Sequence, residues 1–182
     1  MPAKIVHSSI EGVFELIGNR FTDDRGSFLN CFRQQESSFL EAWNSREIMQ
    51  INISKTSQVG TVRGLHLQKY PHSEAKLIRC IRGKVWDVAV DLRRNSSTFC
   101  KWHAVELDSD RCNAVVIPEG CAHGFQVLEP DSELLYMHSQ HWQPDAEAGV
   151  CWNDSALSIA WPLPVIMMSK RDQSLPCIEA FS

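Results

Sequence analysis

The stretch from Val62 to Leu92, VRGLHLQKYPHSEAKLIRCIRGKVWDVAVDL, places a histidine, a lysine, an arginine and two aspartates on segments that otherwise read as buried β-strand. Polar groups taken out of water cost free energy unless they are paired or put to use. So many on one core stretch point to a site. A neutral imidazole, with an ordinary pKa of about 6.5, both takes up and returns a proton around neutrality, which makes His66 a candidate base. Lys76 follows across a turn-rich connection, so the two can occupy neighbouring strands that face one cavity. A buried ammonium there, with no carboxylate adjoining it in sequence, calls for a functional explanation. Tyr136 lies in the apolar run LLYM, and a phenol of ordinary pKa about 10 suits donating a proton better than removing one from carbon. Each has a plainer reading: a core histidine bonded to a carbonyl, a lysine exposed at a strand start, a core tyrosine.

These residues must be held by strands. Short runs rich in Val, Ile, Leu and aromatics, separated by Gly, Asn, Asp and Pro, are the signature of an all-β sandwich or barrel. Strands are expected over 12–17, 27–32, 48–54, 62–67, 76–81, 84–92, 101–107, 114–117, 124–128 and 133–138. A helix is expected over Gln34 to Trp43, where apolar residues recur at helical spacing. The Pro-broken C-terminal pieces are expected to wrap the sheet. In MQINIS, Gln50, Asn52 and Ser54 share one face and Met49, Ile51 and Ile53 the other. In WDVAVDL, Asp87 and Asp91 lie opposite Trp86, Val88, Val90 and Leu92. Alternation alone leaves open which face of either strand points inward.

With 182 residues, 43% of them hydrophobic, the chain suffices for one domain with a sizeable core. A formal net charge of −4 gives no general electrostatic reason to bind nucleic acid or an anionic membrane. Seven cysteines, odd in number, scattered and never in a C-x-x-C pair, argue against a disulfide framework and a zinc site. They read as reduced, mostly structural thiols. The N-terminus lacks the apolar core of a signal peptide, and no apolar run is long enough to span a bilayer, so a cytoplasmic protein is expected.

The strings RGLHLQ (63–68), KLIR (76–79), G-x-V-x-D-V-A-V-D-L-R (83–93), IPEGCAHGF (117–125) and ELLYM (133–137), with FTDDRGSF (21–28) and SKRD (169–172), resemble the dTDP-4-dehydrorhamnose 3,5-epimerase family in order along nearly the whole chain. That resemblance implies a cupin-type double-stranded β-helix, or jelly roll, with short flanking helices and no metal or other cofactor. It also implies a homodimer exchanging N-terminal strands. The substrate it implies is a nucleotide-diphospho-4-keto-6-deoxyhexose, epimerised at C3, C5 or both.

Epimerisation next to a ketone needs a base on one face, a cation or donor at the ketone oxygen, and an acid on the other face. The resemblance gives His66 as the base, with Asp172 fixing its tautomer and raising its basicity. It gives Lys76 as the support for the enolate oxygen and Tyr136 as the opposed acid. His123 and Asp87 match a supporting polar pair. Arg63 and Arg25 correspond to diphosphate contacts, since guanidinium forks suit phosphate oxygens, and Arg25 is expected to cross to the partner's site by strand exchange. Gln50 and Asn52 match polar residues near the nucleoside, where Trp142 falls on a base-stacking aromatic. Phe28, Asn30 and Lys170, within the opening and closing motifs, complete the expected substrate contacts.

Departures from the family pattern cluster on recognition. Asn30 stands where a glutamate is usual, Glu74 and Ala75 replace Gln-Gly before Lys76, Cys121 replaces a phenylalanine, and His141 and Trp142 replace tyrosines. A nucleoside base other than thymine is compatible with these changes. Two rival readings share the fold. In a metal-dependent cupin, PEGCAH (118–123) would supply half of a metal motif with His66 and Glu74 as further ligands, although Gln68 stands where the second histidine of H-x-H belongs. A non-catalytic cupin would merely bind a sugar nucleotide.

Overall fold

The computed structural model describes residues 3–180. The apolar runs form strands β1 (Lys4–His7), β2 (Phe14–Ile17), β3 (Arg20–Asp23), β4 (Gly26–Leu29), β5 (Gln50–Thr56), β6 (Val62–Gln68), β7 (Lys76–Arg82), β8 (Lys84–Asp91), β9 (Trp102–Asp108), β10 (Asn113–Ile117), β11 (Cys121–Val127), β12 (Ser132–His138) and β13 (Glu147–Gly149). Helix α1 (Ser37–Trp43) and the single turn α2 (Lys170–Gln173) complete the regular elements used below. The expected strands are present with shifted ends. Strands β1, β3 and β13, each three or four residues long, are additional to those expected. The helix starts later than expected: Glu36 is still extended, as the N-cap must be, and Asn44 ends it in the left-handed region with its N–H on the Leu40 carbonyl.

Two antiparallel sheets face each other, in the orders β1-β2-β10-β7-β12-β5 and β13-β6-β11-β8-β9. This is the expected jelly-roll architecture. Apolar residues of both inner faces, among them Ile78, Val85, Leu107, Val115, Phe125 and Leu134, fill the space between the sheets at one end. At the other end that space stays open and the inward residues turn polar. Each outer face carries its own apolar layer. Helix α1 covers Leu77, Ala114 and Val116 with Phe39 and Trp43, and C-terminal segments cover Leu65, Val88 and Val90 with Leu157 and Trp161. Arg79 belongs to the first outer layer, where its Nη1 donates to the carbonyls of Cys112 and Asn113. That arginine of the opening stretch therefore serves packing.

The alternation left open by sequence resolves inward for both polar faces. Asp87 and Asp91 are 1% and 0% exposed. Asp91 receives Arg93, Ser96 and Thr98 and anchors the loop after β8. On β5 the inversion is complete: Gln50, Asn52 and Ser54 face the space between the sheets, while Ile51 and Ile53 are 57% and 63% exposed. The hairpin β3–β4 pairs only with itself, and its Phe21 and Phe28 are also exposed.

Gly64 sets the spacing at the open end. Its φ is +127°, and a Cβ there would lie 2.5 Å from Gly124 Cα and 2.9 Å from the His123 carbonyl oxygen. Register between β6 and β11 shifts at this point, from His66 opposite His123 to Arg63 opposite Phe125. We predict that Gly64→Ala lowers stability by at least ~2 kcal/mol, because backbone strain and a contact with immovable main chain add. A urea midpoint unchanged from wild type would contradict this account.

Candidate active site

Inward polar residues of the two sheets line an open cavity of about 750 Å³, a size suited to a ligand larger than a free monosaccharide. His66 projects from β6 in one sheet; Lys76 and Tyr136 project from β7 and β12 in the other. The expectation that His66 and Lys76 occupy neighbouring strands is therefore corrected: they sit on facing sheets. The connection between β6 and β7 crosses the sandwich.

His66 Nε2 donates to Asp172 Oδ1 at 2.8 Å, which leaves the other ring nitrogen free to exchange a proton. Asp172 comes from α2, where its backbone N–H is capped by Ser169 Oγ at 3.0 Å. Its second oxygen accepts the Gly64 N–H at 3.3 Å. Burial works to raise the Asp172 pKa, but the His66 hydrogen bond and charge, with the Gly64 and Ser169 donors, outweigh it and hold the carboxyl below its ordinary range. It therefore stays an anion beside the imidazole.

Lys76 Nζ donates to the His66 carbonyl at 3.2 Å and pairs with Glu74 Oε1 at 3.1 Å. The second partner corrects a sequence expectation: this buried ammonium does have a nearby carboxylate, two residues upstream. Glu74 Oε2 also accepts His138 Nδ1 at 2.8 Å. Burial opposes ionisation of Glu74, yet His138 and Lys76 prevail and its pKa is lowered. His138 Nε2 lies 3.4 Å from Asn52 Nδ2, and its ring stacks on Tyr136 at 5.9 Å. Glu74, which the sequence offers as a departure beside Lys76 and as a ligand in the rival metal reading, is instead the partner of Lys76 and of His138, a residue the sequence motifs did not single out. The signal was available, since His138 lies two residues after Tyr136 and so shares its strand face.

The Tyr136 hydroxyl is 3.2 Å from Ser54 Oγ. Burial, the dominant influence, raises its pKa well above that of a free phenol, so the group is a stable proton donor. Behind it, His123 Nε2 donates to Asp87 Oδ2 at 2.8 Å, and the His123 ring meets Tyr136 edge-on at 5.9 Å. Asp87 itself does not line the cavity. His66, Glu74 and His123 thus direct their polar atoms at separate partners, which gives no common point for the metal-cupin ligand set.

Arg63, Gln50, Asn52 and Trp142 line the mouth. The backbone N–H of Trp142 donates to Gln50 Oε1 at 2.9 Å, and its half-exposed side chain lines the opening. Lys170 is exposed and does not line the cavity of its own chain, to which Arg171 and Asp172 of α2 and its N-cap Ser169 contribute. Arg25, Phe28 and Asn30 also lie outside their own chain's cavity, on or just after the β3–β4 hairpin, where Arg25 pairs with Asp23 at 2.6 Å.

Residues 7–180 match the family model described as dTDP-4-dehydrorhamnose 3,5-epimerase. The chain is 38% identical over 169 residues to the dTDP-4-dehydrorhamnose 3,5-epimerase of Shigella flexneri, covering 92% of each chain. To that of Escherichia coli K12 it is 37% identical over 172 residues, covering 94% of this chain and 92% of the relative. Among solved structures, the Elizabethkingia anophelis enzyme of the same name superposes with a TM-score of 0.91 at 38% identity, covering 98% of both chains. A Legionella pneumophila dTDP-6-deoxy-D-glucose-3,5-epimerase in complex with dTDP-4-keto-L-rhamnose superposes with a TM-score of 0.93 at 30% identity, covering 99% of this chain and 95% of that one.

Because the folded Asp172 pKa is depressed, its ionic contribution to stability is complete above the ordinary carboxylate value of 3.8 and is lost as pH falls below it. Asp172→Asn should therefore lose less stability than wild type as pH falls from about 4 toward 2, measured by denaturant midpoints. Equal losses in the two proteins would show that folding does not depress the Asp172 pKa.

Proposed function

The chain belongs to the dTDP-4-dehydrorhamnose 3,5-epimerase family, and from that premise we propose that it epimerises a nucleotide-diphospho-4-keto-6-deoxyhexose through an enolate held between its two sheets. The observation that carries this reading is that His66, on one sheet, and Tyr136, on the other, line one cavity together with Lys76, whose Nζ donates to the His66 carbonyl. In this mechanism the free nitrogen of His66 removes the proton α to the ketone, and Asp172 stabilises the imidazolium that forms. Lys76 neutralises the charge that develops on the ketone oxygen. Glu74 Oε1, 3.1 Å from the Lys76 Nζ, holds that group in place while no substrate is bound. The Tyr136 phenol delivers a proton to the opposite face, and its raised pKa keeps it protonated until the enolate forms.

Arg63 at the mouth suits the diphosphate, and the Trp142 indole offers a stacking surface for the base. Asn52, His123 and Gln50 supply hydrogen bonds along the wall between them. We read residues 1–182 as one catalytic domain acting in the cytoplasm without a metal or cofactor. Its product would supply a glycosyl-transfer step that consumes an activated deoxysugar.

We further infer a homodimer. An isolated two-stranded hairpin is at best marginally stable in water, and large apolar side chains at Phe21, Phe28, Ile51 and Ile53 are more than half exposed in the single chain. Covering the outer face of β5 with the partner's hairpin would bury all four and deliver Arg25, Phe28 and Asn30 to the neighbouring cavity. Ile53→Asp should then yield a monomer by light scattering; an undisturbed dimer would refute this arrangement.

The reaction is tested with dTDP-, CDP- and GDP-linked 4-keto-6-deoxy sugars in D2O, with deuterium located by NMR. We expect uptake at C3, C5 or both with at least one of them, a rate lowered by about 10²–10⁴-fold in His66→Ala, and binding retained in Asp172→Asn at a reduced rate. Absence of exchange with all three sugars, or full exchange in His66→Ala, would overturn the proposal.

A further inference from the structure

Two thiols that the proposed reaction does not use lie against each other near the C-terminal end. Cys151, just after β13, is buried, Cys177 is exposed, and their Sγ atoms are 3.4 Å apart. The main chains on both sides are already tied. Cys151 N–H donates to the Pro176 carbonyl at 2.9 Å, and Ile178 N–H donates to Asp154 Oδ2 at 2.6 Å. The two sulfurs, 3.4 Å apart, thus stand on segments held side by side, near the roughly 2.05 Å of a disulfide. Cys31, Cys80 and Cys112 instead approach backbone carbonyls.

We propose that Cys151 and Cys177 form a reversible disulfide, with a low-molecular-weight disulfide as oxidant, and that this bond staples the segment carrying Asp172 to the end of β13. The Cys177 thiolate attacks one sulfur of the oxidant, forming a mixed disulfide and releasing one small thiol. Cys151 then gives up its proton and attacks the Cys177 sulfur, expelling the second small thiol. Two cysteine thiols are oxidised and one disulfide is reduced to two thiols, so electrons and protons balance. Burial first, and the neighbouring Cys177 second, push the Cys151 thiol up to about 12, so the exposed partner reacts first and the buried one resolves.

The position gives the bond a consequence. Cys177 follows Asp172 in the same segment, and between them Leu175 lies over Gly149, the residue that pairs with His66. One end of the segment is held by the Asp172–His66 hydrogen bond, and the disulfide would hold the other. Cys151, Asp154 and Cys177 also place possible ligand atoms within 4.8 Å of one another. A metal would have to compete there with the backbone N–H groups of Ala156 and Ile178, which already occupy both Asp154 oxygens.

The test incubates the full chain with oxidised glutathione, alkylates the remaining thiols and maps peptides without reduction. We expect a Cys151–Cys177 linked peptide, a loss of two of the seven free thiols, a higher Tm, and reversal of all three by dithiothreitol. Cys151→Ser should stop at glutathione on Cys177, and Cys177→Ser should give neither the linked peptide nor the rise in Tm. Wild-type protein that stops at the mixed disulfide, links other cysteines instead, or carries stoichiometric zinc shielding both thiols until chelation would overturn the proposal.

Discussion

Charge can be kept inside this sandwich only where an opposite charge or a strong donor lies within hydrogen-bond distance, because taking an ion out of water without a partner costs several kcal/mol. Three imidazole–carboxylate contacts, each at 2.8 Å, meet that condition: His66 with Asp172, His123 with Asp87 and His138 with Glu74. Lys76 joins the last pair through Glu74. The cavity exists because polar side chains at one end of the sandwich are satisfied by each other rather than by collapse of the two sheets. The other end, lined by Ile78, Val85, Leu107 and Leu134, closes as an ordinary core.

These pairs also organise the chain over long sequence separations. Asp172 belongs to the C-terminal turn yet bonds to both His66 and Gly64 on β6, so the geometry of the cavity and the seating of the C-terminal segment are one interaction. Gly64 makes it possible by lacking the Cβ that would strike β11. A defect at any of these points is expected to register in stability and in chemistry together. That coupling differs from the outer layers, where α1 and the tryptophans of the C-terminal segments contribute burial without touching the cavity.

Strand β5 shows how the sandwich inverts a familiar rule. Its polar side chains face in, toward a ligand-sized space, and its isoleucines face out. In a monomer this would waste apolar surface. Together with the self-paired hairpin that carries Phe21 and Phe28, it is the exposed surface on which the proposed homodimer rests.

The sequence by itself determined the strand-rich architecture, because Val, Ile and aromatic runs between Gly and Pro breaks are a local signal. Through motifs that resemble a known family in register, it also pointed to His66, Asp172, Lys76 and Tyr136, which line one cavity in the structure. Local pattern had no means of showing which strands face each other, so His66 and Lys76 were expected side by side and stand instead on facing sheets. Nor could it assign Glu74 and His138 to each other, or bring Cys177 to Cys151, since those contacts join residues far apart in the chain. The inward turn of Asn52 and the outward turn of Ile53 were likewise undecided. A strand's alternation fixes which side chains share a face, but only the packing of one sheet on another decides which face meets the cavity and which meets water.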